Sequence, residues 1–199
     1  MEDTKNKAIV YPADTVSGYG FIKSLGVKGI HVVGLSANEC YNFKSKYLKE
    51  RYIVPNPRFD IEGFLDFLIK YGQEQDIKPV LFMAEDLYAF IISKYRLKLE
   101  KYCLYPYICT NEVMNIMFDK HFMHQNALNA GLILPTGFDS LDSNWKKELN
   151  VFNNFPCIIK PLVSRFTFRE GKLLDSIKFP TLFGGKAILV NNKRELSPI

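Results

Sequence analysis

No two of the four cysteines, Cys40, Cys103, Cys109 and Cys157, stand at C-x-x-C spacing, and no other zinc-like spacing appears. A zinc finger is excluded on that ground. The four are expected to be buried thiols, with a catalytic cysteine as the alternative. No apolar run approaches the roughly 18 residues that span a bilayer, because Lys, Asp, Asn or Gly interrupts each one. Met1 to Lys7 is charged and leads straight into an apolar run, so no signal peptide is read and a cytoplasmic home is expected. No basic stripe is present either. Lys and Arg are interleaved with acids and apolar residues, as in Lys94 to Lys101, which reads as a solvated face and argues against nucleic acid. There is no G-x-S-x-G turn and no Ser-His-Asp arrangement. His121 and His124 lie i, i+3 with no carboxylate or cysteine at matching spacing, so no metal site is expected there.

What is present is a core. Hydrophobic residues make up 47% of the 199, with Phe 16 and Tyr 11, enough for one domain and part of a second. The net charge of +5 suits an anionic ligand such as a nucleotide, or simply a soluble surface.

The pattern along the chain is α/β. Lys7 to Tyr11 reads as a strand ended by Pro12, followed by a loop over residues 13–20, a helix over Phe21 to Leu25 and a glycine stop at Gly26. Ile30 to Leu35 is the next strand. Strand, helix and strand within about 30 residues make a βαβ unit with a parallel sheet. Tyr52 to Pro55 reads as a short third strand. Ile61, Phe64, Leu65, Leu68 and Ile69 then follow helical spacing behind an N-capping Asp60. Val80 to Met83 is a fourth strand, and Glu85-Asp86 opens another helix. This first domain, a Rossmann-like parallel sheet, is expected to cover residues 1–107.

Residues 108–199 change character. Thr110 or Asn111 caps a helix through Met117, with Met114, Met117 and Phe118 as core. Asp119 caps a second, Lys120 to Ala130, closed by Gly131 and Pro135. A short helix near Asn144 to Leu149 precedes the strand Cys157 to Lys160, held between Pro156 and Pro161. Lys186 to Val190 is the last strand, before a helix start at Asn192. The intervening segment of about 24 residues is long for a structureless loop.

Two lysines stand out. Lys160 closes an apolar strand, and Pro161 holds it extended. Lys120 sits at a helix start, beside backbone N–H groups expected to be free. Two cations converging at a helix start suit a polyphosphate. The plain alternative is a pair of surface lysines covering apolar neighbours. Gly18-x-Gly20 after the first strand lets a backbone approach a phosphate, but Lys23 occupies the third glycine position of a dinucleotide fingerprint. Glu85 and Asp86, at a strand's carboxyl end, either face a cleft or cap the next helix.

The ordered set resembles the start of the ATP-grasp module. It comprises Asp119-Lys120, Ala130-Gly131-Leu132, Pro135-Thr136 and Phe155-Pro156-Cys157-Ile158-Ile159-Lys160-Pro161. Gly18 to Gly26, Lys44 to Tyr47, Pro79 to Phe82, Ser164-Arg165-Phe166 and Gly184 to Ala187 extend the resemblance. It points to the branch of D-aspartate ligase-like and carbamoyl-phosphate-synthase-large-subunit-like proteins, over nearly the whole chain. The resemblance implies a carboxylate–amine ligase that uses ATP and magnesium to make an acylphosphate, with small-molecule carboxylate and amine substrates. It places Lys120 and Lys160 on the ATP phosphates and Lys186 on the strand after the flexible loop. Gly18, Gly20, Glu85, Asp86 and Arg165 become candidates for the substrate side. It also implies what is missing. The family's magnesium ligands and its adenine and ribose segment belong to a C-terminal half absent here, Arg165 stands where histidine is expected, and the stretch through Leu174 to Phe183 is insertion-like. The chain by itself is therefore expected not to turn over. Its second lobe is expected to be completed by further chain, a partner subunit or a homodimer. The rival reading is a non-catalytic small-molecule or partner-binding module, a natural truncation or split subunit; a weaker one is a nucleotide-binding oxidoreductase domain.

Overall fold

A computed structural model describes residues 6–106, 108–160, 166–169, 172–175 and 187–196. The chain divides into two compact units, meeting at Asn111 and Glu112.

The first unit is a four-stranded parallel sheet. Its strands are β1 (Ala8–Tyr11), β2 (Val32–Ser36), β3 (Leu48–Ile53) and β4 (Val80–Met83), in the order β3-β2-β1-β4. Ala8 pairs with both Val32 and Val80, so β1 is central. Every residue of β1 and β2 is buried, which is why both read as continuous apolar runs and not as an alternation. The edge strand β3 differs. It begins at Leu48, not Tyr52, and carries Lys49, Glu50 and Arg51. Charge on an edge strand discourages pairing with another chain and hides the strand from an apolar-run reading.

Helices cover both faces. Helix α1 (Val16–Val27) packs on one, with Ile22 joining Val10, Ala13, Val32 and Phe43. Helix α2 (Ile61–Gln73) and α3 (Asp86–Lys94) lie on the other. There Tyr11 meets Phe64 and Tyr88, each ring pair with centroids 4.6 Å apart. Asp60 caps α2 as the sequence implied, accepting a hydrogen bond from Gly63 N at 2.8 Å. A short helix α4 (Arg96–Leu99) follows, and Leu104 bridges to Val80 at the sheet's β4 side.

The expected loop over residues 13–20 is corrected. The loop is only Pro12 to Thr15, and Gly18, Gly20 and Gly26 all lie inside α1. Thr15 starts the helix early, its Oγ1 accepting from Gly18 N at 3.0 Å. Gly26 does not stop the helix. A Cβ there would lie 2.5 Å from Tyr47, so glycine allows close packing, and the left-handed residue is Gly29 at φ +74°.

A polar cluster holds the amino-terminal side of the sheet. Glu50 Oε1 accepts from Lys7 Nζ at 2.7 Å and lies 2.7 Å from His31 Nε2. Its Oε2 accepts from the Tyr52 and Tyr71 hydroxyls, each at 2.9 Å.

The second unit contains helices α5 (Asn111–Phe118, which straddles the boundary), α6 (Lys120–Asn129) and α7 (Trp145–Val151). Strands β5 (Cys157–Ile159) and β8 (Ile188–Val190) pair antiparallel. The intervening segment is not structureless: β6 (Phe166–Arg169) and β7 (Lys172–Asp175) form an antiparallel hairpin. Asn192 is followed by a 3-10 turn, Lys193–Leu196. Met114 is buried, but Met117 is 55% exposed, against the expectation that both are core. Phe122, Leu132, Ile133 and Leu189 are exposed as well. No disulfide links the cysteines, and only Cys103 is fully buried; Cys40, Cys109 and Cys157 are half-buried. Among the described residues no helix is long and apolar enough to cross a membrane.

Candidate functional site

Two regions carry the residues singled out by the sequence, one in each unit.

In the first unit the β1–α1 and β4–α3 loops emerge side by side at the carboxyl ends of β1 and β4, where the strand order reverses. Ala84 N donates to Tyr11 O at 2.8 Å and Ala13 N to Leu35 O at 2.7 Å, which ties the loops to the sheet. Ligands of open α/β sheets bind at such a switch point. Gly18 stands at this rim for a steric reason, since a Cβ would sit 2.1 Å from the Pro12 carbonyl oxygen. Gly20 has no such constraint, with nothing within 4 Å of a built Cβ. Glu85 occupies the N-cap position of α3, but its side chain makes no capping bond, so the capping role is not realised. Asp86 is exposed in the first turn.

Three residues that the sequence reading passed over complete this rim. Tyr11 is buried, with its ring edge-to-face against Tyr88 at 4.6 Å between centroids. Burial, with Tyr88, Asp14 and Glu85 adding to it, holds the Tyr11 phenol far above its ordinary range. Burial raises Tyr88 too, against the opposing pull of Arg58, whose guanidinium hydrogen-bonds its hydroxyl. Tyr11 was legible only as part of an apolar strand.

In the second unit, the phosphate-site candidates are Lys120, next to Asp119, and Lys160. Asp119 is buried and caps α6, its Oδ1 accepting from His121 N at 3.0 Å and Phe122 N at 3.4 Å. The backbone N–H groups expected to be free beside Lys120 are therefore already taken by a carboxylate. Lys120, the first residue of α6, is half-buried. Burial lowers its pKa first, and the positive charge of Lys160 lowers it further, with Asp119 opposing. The fold thus brings Lys120 and Lys160 into electrostatic range although 40 positions separate them (120 to 160). Lys160 is exposed just beyond the end of β5. Lys186 and Arg165 lie outside the described residues.

Beside this pair is a group the sequence could not assemble. His121 Nδ1 lies 2.8 Å from Asp139 Oδ2, and both side chains are 19% exposed. Asp139 Oδ1 accepts from Leu141 N at 2.8 Å, and Asp142 Oδ2 accepts from Asp139 N at 2.9 Å. The hydrogen bond to Asp139 raises the His121 pKa. Burial, the largest single influence, raises Asp139, but the hydrogen bond and charge of His121 together with the backbone bonds of Leu141 and Asp142 outweigh it, and the carboxyl is lowered. Asp142 also lines a cavity of about 590 Å³ together with Thr136, Phe138, Asn144, Glu148 and Phe152.

No family model and no curated protein matches the sequence. Among solved structures, the L-amino acid ligase from Bacillus licheniformis matches at 15% sequence identity with a TM-score of 0.60. The match takes in 100% of this chain and 42% of the ligase chain, so this chain spans less than half of that protein's length. At such identity the likeness is one of fold alone: the α/β elements described above are arranged as in part of that ligase chain.

Proposed function

We propose that this chain is the N-terminal portion of an ATP-dependent carboxylate–amine ligase, in which Lys120 and Lys160 contact the polyphosphate of ATP. What supports this reading is that the fold brings the end of β5 near enough to the start of α6 for the Lys160 charge to lower the Lys120 pKa, in a chain whose fold is like that of a ligase. The donor set fits the ligand. A half-buried Lys120 and an exposed Lys160 held near each other repel, and a polyphosphate relieves that repulsion. The capping Asp119 carboxylate occupies the helix N–H groups, so the lysine side chains supply the phosphate contacts in this reading.

ATP with magnesium would supply the phosphoryl group that activates a small-molecule carboxylate for attack by an amine. The chain's part is to neutralise charge on the phosphates and hold them in place. No described residue is assigned to magnesium. Gly18, Gly20, Glu85 and Asp86 would form the substrate side of the first unit, with Arg165 and Lys186 keeping the roles the resemblance gives them. The exposed apolar side chains of the second unit support its being covered by another body, a partner subunit or a second copy included. The reading gives the chain alone nucleotide binding without turnover.

Titration calorimetry of the 199-residue chain with Mg-ATP tests this. A charge-assisted contact contributes about 1.5–3 kcal/mol, so Lys160→Ala should weaken binding by roughly 10- to 150-fold. Unchanged affinity in both Lys160→Ala and Lys120→Ala would remove the phosphate assignment. ATP-dependent phosphate release stimulated by a carboxylate would remove the claim that the chain alone does not turn over.

A further inference from the structure

We infer that His121, Asp139 and Asp142 form a binding site for a divalent transition-metal cation of the zinc type, apart from any metal that accompanies ATP. The three side chains offer one imidazole nitrogen and two carboxylate oxygens, and these atoms all lie within 4.8 Å of one another. Metal–ligand bonds of about 2.0–2.2 Å separate two donors on one ion by roughly 3 to 4.4 Å. The group therefore closes around an ion with sub-ångström side-chain shifts, while the 2.8 Å contact between His121 and Asp139 opens slightly.

Donor chemistry selects the ion. An imidazole nitrogen disfavours magnesium and calcium, which take oxygen ligands, and favours zinc and its neighbours. The proton between Nδ1 and Asp139 leaves when the nitrogen binds the ion.

The donors are oriented before any ion arrives. Asp119 caps α6 through His121 N, fixing the backbone that carries the imidazole. Leu141 N holds Asp139 Oδ1 and so turns Oδ2 toward the imidazole. Asp139 N holds Asp142 Oδ2. Such outer hydrogen bonds are how metal ligands are usually aimed. Three protein ligands leave coordination positions open. Asp142 lines the cavity described above, whose walls include Thr136, Ser143, Asn144 and Glu148. Through Asp142 the site borders a space of mixed polar and apolar lining, by which water or a small oxygen ligand can reach it. The sequence concealed this site because Asp139 and Asp142 are 18 and 21 positions from His121 (121 to 139 and to 142), and His124, the one neighbour at helical spacing, takes no part.

The test uses the chelator-treated 199-residue chain without nucleotide, titrated with zinc chloride by calorimetry. Its result is thus independent of the ligase reading. One zinc per chain should bind. His121→Ala should abolish that event, and Asp142→Asn should weaken it at least about tenfold. Asp142→Asn keeps an oxygen that can accept from Asp139 N and so preserves the loop, which circular dichroism checks. Absence of stoichiometric binding overturns the inference, leaving an ordinary His–Asp ion pair. Binding that persists unchanged in the folded Asp142→Asn and His121→Ala chains overturns it as well, by placing the ion elsewhere.

Discussion

Replacing Glu50 with Gln tests how the amino-terminal side of the sheet is held. Burial alone would raise the Glu50 pKa, yet hydrogen bonds from Lys7, Tyr52 and Tyr71 outweigh it and hold the carboxyl down to about 2 from an ordinary 4.5. At about 1.36 kcal/mol per unit this is worth roughly 3 kcal/mol, and because the side chain is 22% exposed, solvent screening brings it to about 2 kcal/mol. The sign follows from linkage. The folded pKa is depressed, so the stabilisation is fully present above about pH 4.5 and is lost as pH falls toward 2, where the unfolded chain has already taken up its proton. Glu50→Gln keeps the shape and discards the charge. Urea unfolding at pH 7, 5, 4 and 3 should show the variant less stable by about 2 kcal/mol at pH 7 and 5, with the gap narrowing at pH 4 and again at pH 3. A gap under about 0.5 kcal/mol at pH 7 would refute the reasoning, as would a gap of constant size down to pH 3.

Gly18→Ala and Gly20→Ala should move in opposite directions in thermal unfolding. The first drives a Cβ into the Pro12 carbonyl and should destabilise by more than about 1 kcal/mol, whereas the second fills an open helical position and should stabilise by about 0.5–1 kcal/mol. A disulfide reagent at pH 8 should label Cys40, Cys109 and Cys157 well before Cys103, whose thiol is buried and pushed up to about 12. Early labelling of Cys103 in the folded chain would contradict its burial. Lys160→Ala should raise the Lys120 pKa by removing a like charge, read by NMR titration of the labelled ammonium. No movement would mean the two cations do not sense each other.

The sequence was most legible where local chemistry and tertiary role agree. Asp60 and Asp119 cap helices at the expected places because capping is decided within three or four residues. The buried strands β1 and β2, and the half-buried β4, announced themselves by continuous apolar runs. Elsewhere a tertiary constraint decided the outcome. Gly18 and Gly26 look like loop and stop signals, but each is a glycine because a carbonyl or a tyrosine ring presses on it from outside the helix. Strand β3 was half hidden because an edge strand carries charge. The hairpin of β6 and β7 was signalled only by a segment too long for a structureless loop, since Thr167, Arg169 and Lys172 interrupt its apolar residues. For the sites, the proximity of Lys120 and Lys160 came through the ordered motifs. The occupied N–H groups beside Lys120 did not, because a capping side chain competes for the same donors a ligand would use. His121, Asp139 and Asp142 converge only through the fold, and no spacing rule joins a helix start to a loop 18 residues on.

The central place of β1 has a consequence for how the protein is made. Its partner on one side, β2, leaves the ribosome soon after it, but on the other side Ala8 waits for Val80, 72 positions later (8 to 80). At roughly 5–20 residues per second the interval between completing β2 and completing β4 lasts a few seconds. Through that time a wholly apolar strand presents one unpaired edge to solvent or to any neighbouring chain under synthesis. A pause in translation before Met83 would lengthen this exposure, and one after it would not.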